Sequence, residues 1–133
     1  MSRRNAALAG LILALASALP AQAAVLQSVR TGAFRVTVST PAKTLVQGNN
    51  PVTVAITDSK GKPASVKVEG FSVSMAAMPG MAAQKAPAVL VATHTPGVAK
   101  GRIELPFGGT WEARVVFADK KGVHRASFTL FAR

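Results

Sequence analysis

The chain has 133 residues, with 16 Lys and Arg against 5 Asp and Glu, a formal net charge of +11 at pH 7 and no cysteine. This length allows one domain, and a hydrophobic content of 49% is too high for a disordered chain. Without cysteine the protein has no disulfide, no thiolate metal site and no cysteine nucleophile. Three of its four methionines lie within the seven residues from Met75 to Met81.

The first 23 residues have the pattern of a secretory signal. The basic start Ser2-Arg3-Arg4 precedes an uncharged apolar run from Ala6 to Leu19, and Pro20-Ala21-Gln22-Ala23 ends in the small-x-small pattern that signal peptidase accepts. We predict that residues 1–23 are a cleaved signal peptide and that residues 24–133 form a periplasmic domain. The alternative is an uncleaved anchor, but a membrane span needs about 20 apolar residues and this run is shorter. Removing residues 1–23 removes two arginines and no acid, so the net charge falls from +11 to +9.

The exported domain reads as a series of short strands. From Gly32 onward, apolar residues recur at every second position, and turn-forming residues interrupt them every eight to twelve residues. The strands predicted from this spacing cover residues 34–39, 52–57, 66–73, 88–95, 102–107, 111–117 and 123–132. A change of parity between Val68 and Phe71 predicts a bulge at Gly70. We therefore predict an all-β protein, an immunoglobulin-like antiparallel β-sandwich of about seven strands with no disulfide.

The alternation of connections predicts which features share an end of the sandwich. If each connection leaves and re-enters the sandwich at the same end, consecutive connections lie at alternate ends of the sandwich. One end then holds the three methionines and Trp111, on loop 75–87 and turn 108–110, together with loop 40–50 and the C-terminus. The other end, at turns 58–63, 96–100 and 119–122, holds Lys60, Lys62, Lys100, Arg102, Lys120, Lys121 and Arg125. This basic end is either simply solvated, or approaches an anionic membrane surface or an acidic partner.

The methionine cluster is the feature with the clearest chemistry. A thioether is a soft, uncharged donor that suits Cu(I) or Ag(I) and binds Mg, Ca or Zn poorly. Met75, Met78 and Met81 are spaced by three residues on a loop bent by Pro79-Gly80, so they can converge on one ion. We predict that these three residues bind Cu(I). The alternative is that they fill the end of the core, because methionine adapts to irregular gaps.

Three other residues are candidates for this site. His94 and His124 are possible ligands, but the alternation of connections places His124 beside the opposite turn, and His94 about 20 Å from the loop at about 3.3 Å per residue. Trp111 opens a strand at the methionine end, where its indole can pack on sulfur or cover a soft cation. The alternative for Trp111 is a place in the core that closes the sandwich.

Enzymatic activity has little support in the sequence. It contains no Ser-His-Asp set and no Gly-rich phosphate loop, and its few acids form no evident acid/base pair. Nucleic acid is an unsuitable partner, because stacking aromatics are sparse and the protein is predicted to be exported. We predict a non-enzymatic protein whose partners are a metal ion and an envelope or inner-membrane protein, with at most peripheral membrane contact.

Four short motifs carry a resemblance over roughly residues 36–131. They are Gly48-Asn49-Asn50-Pro51-Val52, Asp58-Ser59-Lys60-Gly61-Lys62-Pro63, Met78-Pro79-Gly80-Met81 and Gly109-Thr110-Trp111. In order and spacing they resemble the small exported sandwich domains called YtkA-like, which include the periplasmic part of FixH-type proteins. The Met-Pro-Gly-Met segment is also similar to the methionine loop of CopC-type periplasmic copper carriers.

The resemblance implies copper handling, or the maturation of copper-containing respiratory oxidases, by an exported or membrane-associated sandwich. Ala82-Ala83-Gln84 stand where such loops commonly carry His and acidic residues, so the ligands typical of Cu(II) are missing. The expected function is carriage or delivery of Cu(I). The alternative is an envelope interaction module, or an accessory domain of a membrane transporter, in which the methionines are structural and no metal binds.

Overall fold

The computed structural model describes residues 24–133, so the predicted signal peptide lies outside the described residues. This part of the chain forms nine strands: β1 (Ala24–Thr31), β2 (Phe34–Thr40), β3 (Gly48–Thr57), β4 (Lys67–Met75), β5 (Gln84–Ala86), β6 (Ala88–Ala92), β7 (Val98–Leu105), β8 (Gly109–Asp119) and β9 (Gly122–Ala132). It contains no helix long and apolar enough to cross a membrane.

The strands form two antiparallel sheets packed face to face, which confirms the predicted β-sandwich without a disulfide. One sheet has the order β1-β2-β3-β7-β6 and the other the order β5-β4-β8-β9. The two strands beyond the predicted seven are β1 and β5. Strand β1 has no clean alternation, because a bulge between Val25 and Gln27 shifts its register against β2. Strand β5 has only three residues, too few to show a period.

The core lies between the two sheets and is built from alternate residues of their strands. Large buried side chains include Val36, Val38, Val54, Ile56, Ile103 and Leu105 from one sheet, and Val73, Trp111, Val115, Phe117, Phe128 and Leu130 from the other. In strand β9, Phe128 and Leu130 point inward, whereas Phe131 is 66% exposed. Residues 24–133 supply both sheets and this core, so the segment has what it needs to fold on its own.

The predicted bulge at Gly70 is confirmed, and it determines where Met75 points. The pairing of β4 with β8 shifts between Val68 and Gly70. Beyond the bulge, Phe71, Val73 and Met75 share one face because side chains alternate along a strand. Val73 and Met75 are buried, so the bulge carries the first methionine of the cluster into the core.

The connections gather at two ends as the alternation predicts. At the methionine end, Leu45 in the β2–β3 loop bridges to Ala132, and the Arg133 amide donates to the Leu45 carbonyl at 2.9 Å. The buried side chain of Asn50 holds the same loop, accepting from the Val46 amide and donating to the Val46 carbonyl, both at 2.8 Å. At the basic end, the Ile56 amide donates to the Gly97 carbonyl at 2.7 Å. The 11 residues of β8 separate the two ends by about 35 Å.

Candidate metal-binding site at the methionine end

The segment between β4 and β5 contains a tight turn that pairs two of the three methionines. The Met78 amide donates to the Met81 carbonyl at 2.9 Å, and the Met81 amide donates to the Met78 carbonyl at 2.8 Å. Pro79 and Gly80 form the tip, and the φ of +81° at Gly80 is one that glycine adopts without strain. Residues that exchange both hydrogen bonds in an antiparallel pair project their side chains to the same face, with Cβ atoms about 5 Å apart. The turn therefore brings the thioethers of Met78 and Met81 to one side.

Met75 joins this pair from the core. The sequence placed it in the loop 75–87, whereas the structure makes it the last residue of β4, paired with Gln84 of β5. Its side chain is 7% exposed. A Cβ atom at Gly109 would lie 3.2 Å from the Met75 Cε, so the absence of a side chain there leaves room for the thioether methyl group.

One cavity of about 400 Å³ brings the three methionines together. Its other walls come from the segment that leads from β7 into β8, formed by Phe107, Gly108, Gly109 and Thr110. No charged side chain is among these lining residues. Exposure increases across the cavity, from the buried Met75 through the half-buried Met81 to Met78, which is 48% exposed. The arrangement thus offers soft, neutral donors at a cavity that reaches solvent.

Trp111 supports this cavity from behind. The side chain is 1% exposed, so the structure favours the core alternative for this residue. Its Nε1–H donates to the Phe107 carbonyl at 3.2 Å, and the two ring centroids are 5.3 Å apart. Phe107, which the sequence reasoning missed, is the aromatic side chain that lines the cavity. Phe107 directly precedes Gly108-Gly109, in a turn that the sequence assigns to the methionine end, and this position could have identified it as a residue of the site.

The structure keeps both histidines away from the methionines. His94 is exposed in the β6–β7 connection at the basic end. His124 of β9 lies opposite Phe117, with ring centroids 5.2 Å apart, and its Nε2–H donates to the Asp119 Oδ1 at 3.1 Å. Within residues 24–133, no three His, Asp or Glu side chains are grouped so that they could hold a metal ion. The methionine cavity is therefore the candidate metal site of the described chain.

No protein-family model matches the chain, and no curated protein or solved structure matches it. The similarity to YtkA-like, FixH-type and CopC-type proteins therefore stays a prediction from the motifs.

Two aspartates shape the turns of the basic end. Asp58 Oδ1 accepts from the amides of Lys60 at 2.8 Å and Lys62 at 3.0 Å. Asp119 Oδ1 accepts from the Lys121 amide at 2.9 Å as well as from His124. The backbone hydrogen bonds from Lys62 and Lys60 lower the pKa of Asp58 below 3.8, and the hydrogen bond from His124, with that from Lys121, does the same for Asp119. Both turns are therefore stabilised by ionised carboxylates.

These lowered pKa values predict a loss of stability in acid. A carboxyl whose pKa is lower in the folded state contributes stability that is present above its unfolded pKa, here 3.8, and is lost as the pH falls through its folded pKa. We expect the urea midpoint of residues 24–133 to fall when the pH is lowered from about 5 to about 2. The Asp58→Asn/Asp119→Asn variant keeps an acceptor oxygen but does not titrate, so its midpoint should fall less. Equal falls in both proteins would contradict the assignment.

Proposed function

We propose that this protein is an exported, non-enzymatic β-sandwich that binds Cu(I) through Met75, Met78 and Met81 and carries it for copper handling or delivery. The observation that supports the proposal is the tight turn at Pro79-Gly80. It sets two thioethers side by side, above a third that comes from the core, in one cavity. Thioether sulfur is the donor that Cu(I) prefers over the harder cations.

The surroundings of the sulfurs fit a soft ion of low charge. A divalent cation would enter this cavity without a carboxylate to balance its charge, because no acidic side chain is among the lining residues. A single positive charge costs less to desolvate, and the ring of Phe107 adds an aromatic wall that attracts a cation. The exposure of Met78 keeps one ligand accessible from solvent, as transfer of the ion to another protein requires.

One observation favours the alternative of an interaction module without metal. Met75 is packed in the core, and the cavity is otherwise apolar apart from Thr110. A cavity lined by methionine and phenylalanine also suits an apolar side chain of an envelope protein or a membrane transporter, because methionine adapts its shape to different partners. The two functions differ in whether the sulfurs respond to a soft metal ion.

The experiment is a titration of residues 24–133 with Ag(I), followed by NMR of methionine methyl groups labelled with carbon-13. Residues 24–133 contain three methionines, so the spectrum reports the proposed ligands alone. We expect all three methyl resonances to shift together and to stop shifting at about one equivalent, because three thioethers share one ion. Zn(II) serves as the control and should leave the resonances in place.

A response of Met78 alone would contradict the three-sulfur site, since it would show binding to one exposed side chain. Resonances that stay unchanged with excess Ag(I) would favour the interaction module. Under reducing conditions, Cu(I) should reproduce the Ag(I) result with the same stoichiometry.

A further inference from the structure

The structure places more cationic residues at the basic end than the sequence predicts. Turn 32–33 between β1 and β2 lies at this end, because Arg30 pairs with Arg35 and Arg35 pairs with Thr57 at the end of β3. Lys67 begins β4 opposite Ala118. Arg102 has to be removed from the set, since it pairs with Pro51 and Val89 in the middle of its sheet. With these changes, the cations of the basic end are Arg30, Arg35, Lys60, Lys62, Lys67, Lys100, Lys120, Lys121 and Arg125.

All of these cations are exposed, and within residues 24–133 none of them forms an ion pair with a carboxylate. The acids nearby are Asp58, Asp119 and Glu69. Asp58 and Asp119 already accept hydrogen bonds from the backbone of their own turns, and Asp119 also binds His124. The positive charge is therefore left facing solvent over the turns of both sheets.

The chemistry of this surface is unlike that of a specific protein interface. Such interfaces are enriched in exposed aromatic residues and depleted in lysine at their centre. Here six of the nine cations are lysines on flexible side chains. The ring of Phe117 is buried and that of Phe34 is half-buried, and the exposed large apolar side chains are Val123 and, beside Lys100, Val91. A delocalised field of lysines and arginines suits an anionic lipid surface, which attracts charge without requiring a fixed register.

We propose that the basic end binds the anionic phospholipid surface of a membrane. The binding is peripheral and electrostatic, since the end exposes little apolar surface that could enter the bilayer. It orients the molecule with the methionine cavity about 35 Å from the lipid, at the opposite end of β8. This inference is independent of metal binding, because it uses none of the methionines.

The test is flotation of residues 24–133 with vesicles of phosphatidylcholine mixed with phosphatidylglycerol. The segment without residues 1–23 is used because the apolar run from Ala6 to Leu19 would itself enter lipid. We expect binding to the mixed vesicles and none to phosphatidylcholine alone. Raising the salt from about 0.1 M to about 1 M should release the protein, because the screening length falls from about 10 to about 3 Å.

Two variants with the same net charge separate the basic end from the charge of the whole molecule. K60Q/K62Q/K120Q/K121Q removes four cations from the basic end, and their side chains make no hydrogen bond or ion pair within the described chain. Its partition onto mixed vesicles should fall at least about tenfold. The control K43Q/K85Q/R102Q/R133Q removes four exposed cations from elsewhere and should lose at most about twofold.

Equal losses in the two variants would overturn the proposal, since they would show that net charge alone determines binding. Binding to polyglutamate without binding to the mixed vesicles would overturn it in favour of an acidic protein partner.

The orientation of the molecule on the membrane is tested by a separate measurement. Trp111 is the single tryptophan and lies at the methionine end, so brominated lipids should leave its fluorescence unquenched. Strong quenching would show that the methionine end faces the membrane.

Discussion

Replacing Trp111 with alanine is expected to destabilise residues 24–133 by about 3–5 kcal/mol, the usual cost of deleting a large buried aromatic side chain. The indole is 1% exposed, and its Nε1–H holds the Phe107 carbonyl at 3.2 Å. The substitution leaves a void in the core and releases the segment that forms one wall of the methionine cavity. Since whole domains are stable by only about 5–15 kcal/mol, urea unfolding at constant temperature will resolve the change.

Two further variants make this prediction specific to packing. Trp111→Phe keeps an aromatic ring and leaves the Phe107 carbonyl without its partner, so it should cost less, about 1–3 kcal/mol. Phe131→Ala is the matched control, because Phe131 pairs with Thr110 on the neighbouring strand but is 66% exposed. We expect a change within about 0.5 kcal/mol for this control. If Trp111→Ala costs no more than Phe131→Ala, the packing described for the methionine end is wrong.

Most of the fold could be predicted because its strands report their burial in the sequence. Val52, Val54 and Ile56 alternate with polar or small residues, and each is buried in β3. The signal failed where burial was not periodic. Strand β1 is half-buried along most of its length and changes register near Val25. Its residues therefore do not show the regular alternation of apolar and polar residues that marks a half-buried strand. The edge position of β1 explains this, because an edge strand needs only one neighbour and one covered face.

The candidate site could be predicted in composition but not in geometry. The alternation of connections was enough to bring Met75, Met78 and turn 108–110 to one end, because it needs only the order of the strands. It could not show that Met75 is core while Met78 is exposed, since that depends on the length of β4 beyond the bulge at Gly70. It also missed Phe107, whose ring lines the cavity beside turn 108–110.

Replacing all three methionines with leucine is expected to abolish the uptake of one equivalent of Ag(I) or Cu(I). Leucine keeps the apolar character and nearly the volume of methionine but has no sulfur, so each substitution should cost less than about 1.5 kcal/mol of stability. The variant should therefore stay folded, which its far-ultraviolet circular dichroism and urea midpoint will show. Equilibrium dialysis against Ag(I) measures the uptake. His94→Ala/His124→Ala, which removes both imidazole donors of the chain, should bind as the wild type does. Uptake by the triple leucine variant equal to that of the wild type would rule out the site.

The position of the sulfurs can be tested separately from their number. The variant Met81→Ala/Ala82→Met keeps three methionines but moves one thioether to the next residue, which lies outside the hydrogen-bonded pair of positions 78 and 81. If the pairing of Met78 with Met81 holds the ion, this variant should bind Ag(I) at least about tenfold more weakly than the wild type and no better than Met81→Leu. Affinity equal to that of the wild type would mean that a flexible methionine-rich loop is sufficient. The proposed role of the turn at Pro79-Gly80 is to hold the thioethers of Met78 and Met81 on the same face. Equal affinity would show that binding does not require this arrangement.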